Sequence, residues 1–106
     1  MTPAERKFAD DAISLIVHEF ASATAANGAF HSAHEGLAVI HEEFDELKAE
    51  VWKKARDRDP DAMIKEAKQV GAMAMRFLVD VALPLKERRD ALCPNGGKGS
   101  STAPQR

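Results

Sequence analysis

The residues best suited to chemistry in this chain are carboxylates that recur at helical spacing. Glu43 and Glu46 stand three residues apart in an acidic run, so on a helix they are neighbours on one face. Glu66 follows in a second segment that also reads as helical. If the two helices pack together, the three carboxylates meet and present the hard oxygen ligands that Mg²⁺ prefers. The sequence therefore predicts a magnesium site formed by Glu43, Glu46 and Glu66.

Gln69 occupies the position three residues after Glu66 where a fourth carboxylate would serve such a site. A glutamine can coordinate a cation through its carbonyl oxygen but brings no negative charge. A metal held here would polarise a phosphoryl oxygen and lower the pKa of a bound water. The competing interpretation is a solvated acidic face, which is typical of isolated Glu pairs on helices. Glu43 is set apart because it borders an apolar stripe, where an unpaired charge is costly.

Three further side chains are candidates for binding a substrate. His31 and His34 lie in or beside the cap of the second predicted helix, where one of them could contact a ligand at a cleft mouth or both could cap or face solvent, and we take His34 as the candidate. Arg76 and Asp80 are four residues apart, so they could form an ordinary ion pair on one helix. In the functional alternative, Arg76 binds a phosphate of the substrate and Asp80 belongs to the acidic cluster. We predict all three as substrate-binding residues.

The elements that must position these residues are marked by clear helix starts. Thr2 and Ser32 each precede a Glu by three residues, which is the pattern of a capping box, and Asp59-Pro60 places a cap before a proline. Asn27-Gly28 predicts a break, and Pro84 is expected to end the third helix. The predicted helices are 3–24, 33–56, 60–82 and a short 85–92, followed by a disordered tail at 94–106.

Two kinds of stripe run along the second and third predicted helices. The second helix carries an apolar stripe that is expected to face the core, made of Leu37, Ile40, Phe44, Leu47 and Val51. Beside it runs a second stripe, which contains Gly36, Val39, Glu43, Glu46 and Glu50. On the third helix a stripe of Glu66, Gln69, Met73, Arg76 and Asp80 flanks the apolar face. If the two helices pack antiparallel, these polar stripes face each other across a cleft.

Composition limits the class of protein. The chain has 106 residues, enough for one domain at 1–93 before the tail, and it is 44% hydrophobic with a net charge of −2. That charge argues against nucleic acid as a partner, and no apolar run is long enough to predict a membrane partner. A single cysteine, Cys93, fits a reducing cytoplasm. Without strand signals, the expected fold is an all-α antiparallel helical bundle, with three main helices plus a short C-terminal helix, completed by self-association.

The acidic motif also resembles a known family. Glu42-Glu43-Phe44-Asp45-Glu46 matches the pattern Glu-Glu-x-x-Glu of the MazG-like all-α nucleotide pyrophosphohydrolases. Segment 27–82 is similar to the short phage- and bacterium-borne members of that family. Their second helix carries Glu-x-x-Asp, and here Glu66 matches while Gln69 departs from the pattern.

The resemblance implies a function for each matching position. Glu43, Glu46 and Glu66 would be magnesium ligands with Gln69 in the fourth place, and Glu42 or Glu46 would activate water. The substrate would be a nucleoside triphosphate, hydrolysed to the monophosphate and pyrophosphate by a homodimer or tetramer. Two alternatives stay open. One is a catalytically impaired bundle that binds nucleotides or proteins, and the other is a helical adaptor unrelated to nucleotides.

Overall fold

The computed structural model describes residues 1–93, and every regular element among them is helical. The elements are α1 (Pro3–Asn27), α2 (Ala33–Val51), a 3₁₀ turn (Ala55–Asp57), α3 (Pro60–Phe77), a π-helical turn (Leu78–Ala82) and α4 (Leu83–Leu92). This confirms the all-α class and the three main helices. The predicted tail at 94–106 lies outside the described residues. None of the helices within 1–93 combines the length and apolar character needed to cross a bilayer.

The predicted helix starts are confirmed by their capping hydrogen bonds. Thr2 and Glu5 form a reciprocal capping box, in which each side chain accepts from the backbone N–H of the other residue. Ser32 Oγ accepts from the N–H of Glu35 at 3.1 Å, and Asp59 Oδ1 accepts from the N–H of Asp61 at 3.0 Å. These side chains satisfy amides that have no partner inside the helix, so local sequence marks where α1, α2 and α3 begin. The short fourth helix, predicted to begin at residue 85, begins at Leu83 with no side-chain cap.

The predicted helix ends are less accurate. α1 continues to Asn27 and stops at Gly28, whose φ of 73° suits a residue without a Cβ. α2 ends at Val51 rather than at residue 56, and the Nε of Arg58 donates to the carbonyl oxygen of Val51 at 2.8 Å. A distant arginine thereby caps the C-terminus of α2.

Pro84 does not separate two helices as expected. The backbone N–H of Leu83 bonds to the carbonyl oxygen of Leu78, five residues earlier, so the helix widens into a π turn just before the proline. Pro84 then follows directly after the π turn as the second residue of α4, where it donates no backbone hydrogen bond. α3, the π turn and α4 therefore follow one another without a loop.

α3 is the centre of the arrangement, because both α1 and α2 pack mainly against it, whereas α4 packs chiefly against the π turn. α2 and α3 run antiparallel. Gly36 at the start of α2 lies against Phe77 at the end of α3, and Glu46 further along α2 meets Glu66 near the start of α3. The buried core is small and consists of Ala23, Phe30, Ala72 and Met73, joined by the buried Arg76.

The predicted apolar stripe of α2 is only partly covered. Ile40 packs against the core and Leu47 is half-buried, whereas Leu37, Phe44 and Val51 are 62%, 49% and 37% exposed and point away from α3. The neighbouring stripe, with Gly36 buried and Val39 and Glu43 half-buried, is the one that faces α3. The reason is steric: Gly36 has no side chain, which lets the ring of Phe77 approach the helix backbone.

Candidate metal centre and adjoining cavity

Three carboxylates meet between α2 and α3. Glu43 and Glu46 come from α2 and Glu66 from α3, and each offers one oxygen such that all three lie within 4.8 Å of one another. Glu43 and Glu66 are half-buried, whereas Glu46 is exposed. The spacing of three residues on α2 and the antiparallel packing of α3 together produce this cluster. It could hold a metal ion, and its all-oxygen donor set fits a hard divalent cation.

Electrostatics in this cluster disfavour three bare negative charges. Burial raises the pKa of the Glu43 carboxyl above its ordinary value of 4.5, and the nearby carboxylates of Glu46, Glu66 and Glu42 raise it further. The local environment therefore favours either a proton or a cation at Glu43. Glu42 lies exposed on the same helix, outside the group of oxygens that converge.

A cavity of about 540 Å³ adjoins the cluster and shares Glu43 with it. The ends of α1 and α2, the loop between them and the middle of α3 form its wall. The lining residues used below are Glu19, Phe30, His31, Glu35, Gln69 and Arg76. Gln69 lines the same cavity as Glu43, and its place as a fourth metal ligand stays a prediction.

Arg76 is built into the wall of this cavity. It is only 4% exposed, its guanidinium carbon lies 4.2 Å from the centre of the Phe30 ring, and its Nη2 donates to the carbonyl oxygen of Gly28. Its Nη1 contacts Met73 Sδ at 3.4 Å. Its Nε is buried and has no hydrogen-bond partner within residues 1–93. Arg76 thus anchors the α1–α2 loop through Nη2, and Nε is its buried nitrogen without a partner among the described residues.

Asp80 holds the same loop from the π turn. Its Oδ2 accepts from the backbone N–H of Phe30 at 3.0 Å. Within residues 1–93, Arg76 and Asp80 form no ion pair with each other; both bind the loop instead. Asp80 is also absent from the converging carboxylates, so the predicted assignment of Asp80 to the acidic cluster is wrong. The π turn sets the direction of Asp80, and sequence periodicity does not contain that information.

Of the two histidines near the start of α2, the structure brings His31 and not His34 to the cavity. His34 is exposed on the first turn of α2. The backbone N–H of His31 donates to Glu35 Oε1, and this hydrogen bond lowers the pKa of the Glu35 carboxyl. The sequence placed both histidines near the cap of α2, but it did not distinguish which of them reaches the cavity.

Sequence reasoning also missed Glu19. This residue of α1 lines the cavity with a side chain that is only 19% exposed. Its Oε1 lies 3.9 Å from the Nζ of Lys68, which is an ion-pair distance but too long for a hydrogen bond. The sequence signal for Glu19 was its position beside the apolar face of α1, which carries Ile16 and Phe20.

Comparisons of the chain with protein-family models, with curated proteins and with solved structures find no match.

Proposed function

We propose that this chain is a magnesium-dependent nucleoside triphosphate pyrophosphohydrolase of the MazG-like all-α type. It would cleave a ribo- or deoxyribonucleoside triphosphate into the monophosphate and pyrophosphate. The observation that carries the proposal is the convergence of Glu43, Glu46 and Glu66 within 4.8 Å beside a cavity of about 540 Å³. Three carboxylates at this distance repel one another, and a divalent cation removes that repulsion.

Each residue at the acidic cluster has a distinct proposed role. Glu43, Glu46 and Glu66 would hold Mg²⁺, with the carbonyl oxygen of Gln69 as an uncharged fourth ligand. When bound, the ion supplies neutralising charge at the phosphates and polarises the phosphoryl group. The attacking water must lose a proton, and the exposed carboxylates of Glu42 and Glu46 are the groups proposed to accept it.

The predicted substrate-binding residues take different places in this proposal. His34 is kept as a contact for the part of the substrate that extends beyond the cavity, because its side chain is exposed and makes no hydrogen bond within residues 1–93. Arg76 faces the cavity as part of its wall. Asp80 acts on the substrate only through the loop, by fixing the backbone at Phe30.

Self-association to a homodimer or tetramer is part of the proposal. Leu37, Phe44 and Val51 repeat every seven residues and leave an apolar stripe uncovered on α2, which we call the outer stripe. A second copy of the chain that covers the outer stripe would bury apolar surface that one copy leaves in water. The free, exposed thiol of Cys93 fits a reducing cytoplasm as the setting.

A second candidate function is favoured by Gln69. Replacing the fourth carboxylate by an amide removes one negative charge from the ligand set, which weakens attraction for a divalent cation. The chain would then be a nucleotide-binding or protein-interaction module that keeps the cavity without turnover. Such a module predicts stabilisation by nucleotide through ligand linkage, in the absence of pyrophosphate release.

The decisive experiment measures pyrophosphate release from a panel of nucleoside triphosphates, with Mg²⁺ and then with a chelator. The variants are Glu43→Ala, Gln69→Asp and the control Asp45→Ala. Asp45 belongs to the same acidic run but its side chain is 56% exposed and pairs with His41. The enzyme predicts turnover that requires Mg²⁺, survives in Asp45→Ala and is lost in Glu43→Ala.

Other outcomes select the alternatives. If the native chain shows no turnover and Gln69→Asp gains it, the chain is a helical bundle that retains the cavity but has lost catalytic activity. No turnover and no thermal stabilisation by any nucleotide, in all variants, would overturn the nucleotide assignment and favour a helical adaptor.

A further inference from the structure

The first half of α1 is left largely uncovered in a single copy of the chain. Within residues 1–93, α1 packs chiefly against α3, and the contact of Ile16 with Gly71 lies in its second half. Residues 3–15 are exposed apart from the half-buried Ala9, and the apolar side chains of Phe8 and Leu15 are 67% and 39% exposed. Most of the stability of a helix in a protein comes from packing of its apolar face, so this half of α1 requires a surface to cover it.

Four exposed apolar residues of this half form a stripe along one side of the helix. They recur three or four residues apart, which places them on one face. We call this face the α1 stripe, and it consists of Ala4, Phe8, Ala12 and Leu15. Phe8 and Leu15 stand seven residues apart, which is also the repeat of the outer stripe of α2. Apolar repeats of seven are typical of two helices that pack side by side at a small angle.

The α1 stripe and the outer stripe match in length and in spacing. At about 1.5 Å per residue they extend over about 16 Å and about 21 Å. If the two helices run antiparallel with Phe8 over Phe44, then Leu15 lies over Leu37, because both stripes repeat every seven residues. Each large side chain of the α1 stripe thereby meets a large side chain of the outer stripe.

Charges at the edges of the two stripes favour this antiparallel pairing. Glu5 stands three residues before Phe8, and Lys48 stands four residues after Phe44, so antiparallel packing brings the two charges side by side. Lys48 lies over the ring of Trp52, and neither Glu5 nor Lys48 has an ion-pair partner in the described part of the chain. An exposed ion pair contributes little stability, but complementary charges at an interface fix its direction.

We propose that the α1 stripe of one copy covers the outer stripe of a second copy, and the reverse, in a dimer with two-fold symmetry. The inference rests on the self-association that is part of the proposed function, and it names the segment that covers the outer stripe. One closed, symmetric interface then removes both stripes from water. Pairing of the α1 stripe with a second α1 stripe would leave the outer stripe exposed, and this favours pairing of α1 with α2.

The first test compares the mass of the native chain with that of two variants by sedimentation equilibrium. Phe8→Glu places a charge in the α1 stripe, where it would be buried unpaired in the interface, so we expect the mass to fall from twice 11.6 kDa to that of one chain. Ile13→Glu is the matched control, because Ile13 is 61% exposed and lies about 140° around the helix from Phe8 at about 100° per residue. Its mass should stay at that of two chains. Circular dichroism verifies that both variants retain their helices.

The second test uses the native chain and identifies which segments meet. Isotopically light and heavy chains are unfolded together, refolded and treated with a lysine-reactive cross-linker, and mass spectrometry selects the peptides that join a light chain to a heavy one. Lys7 is the neighbour of Phe8 in sequence, and Lys48 is one turn from Phe44. We therefore expect links between Lys7 of one copy and Lys48 of the other.

The results separate this inference from the proposed function. A native dimer that persists in Phe8→Glu, or links between copies in which Lys7 reaches only α1, would overturn the pairing of α1 with α2 and leave self-association standing. Loss of the dimer in Phe8→Glu and Ile13→Glu alike would overturn the α1 stripe as the covering face. A monomeric native chain would overturn both self-association and this inference, whereas pyrophosphate release decides the catalytic assignment separately in every case.

Discussion

At the scale of single residues, Glu43 is a carboxylate whose negative charge is disfavoured by its surroundings. It is the one carboxylate that belongs both to the acidic cluster and to the cavity. Burial and three neighbouring acids raise its pKa. The same position that makes it a good ligand for a cation makes it a source of instability when no cation is bound.

The first prediction concerns Glu43 in metal-free protein. The raised pKa means that the folded state holds the proton more tightly than the unfolded chain. The free energy of unfolding therefore falls as the pH rises from 4.5 through the raised pKa, and the full penalty is present at neutral pH. Glu43→Gln removes the charge, so we expect its Tm at pH 7, with chelator, to exceed that of the native chain by about 1–3 °C.

Thermal unfolding at pH 7 and pH 4 checks this prediction. The gain in Tm should shrink towards zero at pH 4, where the native Glu43 is itself protonated. Asp45→Asn, a change of the same kind at a more exposed acid, should have a smaller effect at neutral pH. A Glu43→Gln variant with a lower Tm than the native chain at pH 7, without metal, would show that the charge is compensated by something else.

At the scale of elements, the α1–α2 loop is held by side chains from the far side of the core. Arg76 on α3 binds the carbonyl of Gly28 and stacks on Phe30, and Asp80 on the π turn binds the N–H of Phe30. Phe30 in turn is 8% exposed and belongs to the core. These contacts make the loop a fixed wall of the cavity, and they tie the geometry of the cavity to the π turn before Pro84.

The second prediction follows from these contacts. Asp80→Ala removes one acceptor and leaves the N–H of Phe30 without its partner, so we expect a loss of about 1–3 kcal/mol in the free energy of unfolding. Asp80→Asn keeps an acceptor oxygen in place and should cost less. Urea denaturation measures both variants. Equal stability of Asp80→Ala and the native chain would mean that the loop does not depend on this hydrogen bond.

The third prediction contrasts two helical glycines, each of which allows close packing. A Cβ at Gly36 would lie 2.7 Å from Phe77 Cδ2 and 3.1 Å from Phe30 Cδ2, so two rings must move. A Cβ at Gly71 would lie 2.9 Å from Ile16 Cδ1, the flexible end of a side chain. Alanine also gains about 1 kcal/mol over glycine in a helix, which offsets part of either clash.

We therefore expect Gly36→Ala to destabilise the chain by about 1–3 kcal/mol, as overpacked sites do, and Gly71→Ala to change stability by less. Chemical denaturation of the two variants side by side is the measurement. If Gly71→Ala proved the more damaging, the contact of α1 with α3 would be tighter than that of α2 with α3.

At the scale of the whole molecule, little of the apolar surface is covered. Four apolar residues are buried within residues 1–93, and the radius of gyration is 17.3 Å, against about 13 Å for a compact domain of roughly 100 residues. The outer stripe of α2 is one exposed apolar surface, and Phe8, Ile13 and Trp52 add others. A single copy therefore gains limited stabilisation from apolar burial, and a second copy is the occupant proposed for the outer stripe.

The fourth prediction places a charge in the outer stripe. Phe44→Glu should reduce the mass measured by sedimentation equilibrium from a multiple of 11.6 kDa to that of one chain, because the glutamate would have to be buried unpaired in the interface. Ala49→Glu introduces the same side chain at an exposed position of α2 outside the outer stripe, and it should leave the mass unchanged. A native chain that sediments as a monomer at tens of micromolar would contradict self-association.

The sequence by itself determined the set of helices and the placement of Glu43 and Glu46 on one helical face. Caps such as Ser32 and Asp59 act within one turn, so their hydrogen bonds depend on neighbours in sequence. The spacing of Glu43 and Glu46 on one face is likewise a local property of a helix. The convergence of these residues with Glu66 required only that two helices joined by a short connection pack antiparallel.

The tertiary structure alone decided which faces pack and where each distant side chain acts. Periodicity identifies an apolar stripe but not its partner, and the close approach of Phe77 to Gly36 turned the outer stripe away from α3. The direction of Asp80 depends on a π turn, and the role of Arg76 depends on a loop 48 residues earlier. Such contacts join residues that are remote in sequence, so local preferences and helical spacing hold no information about them.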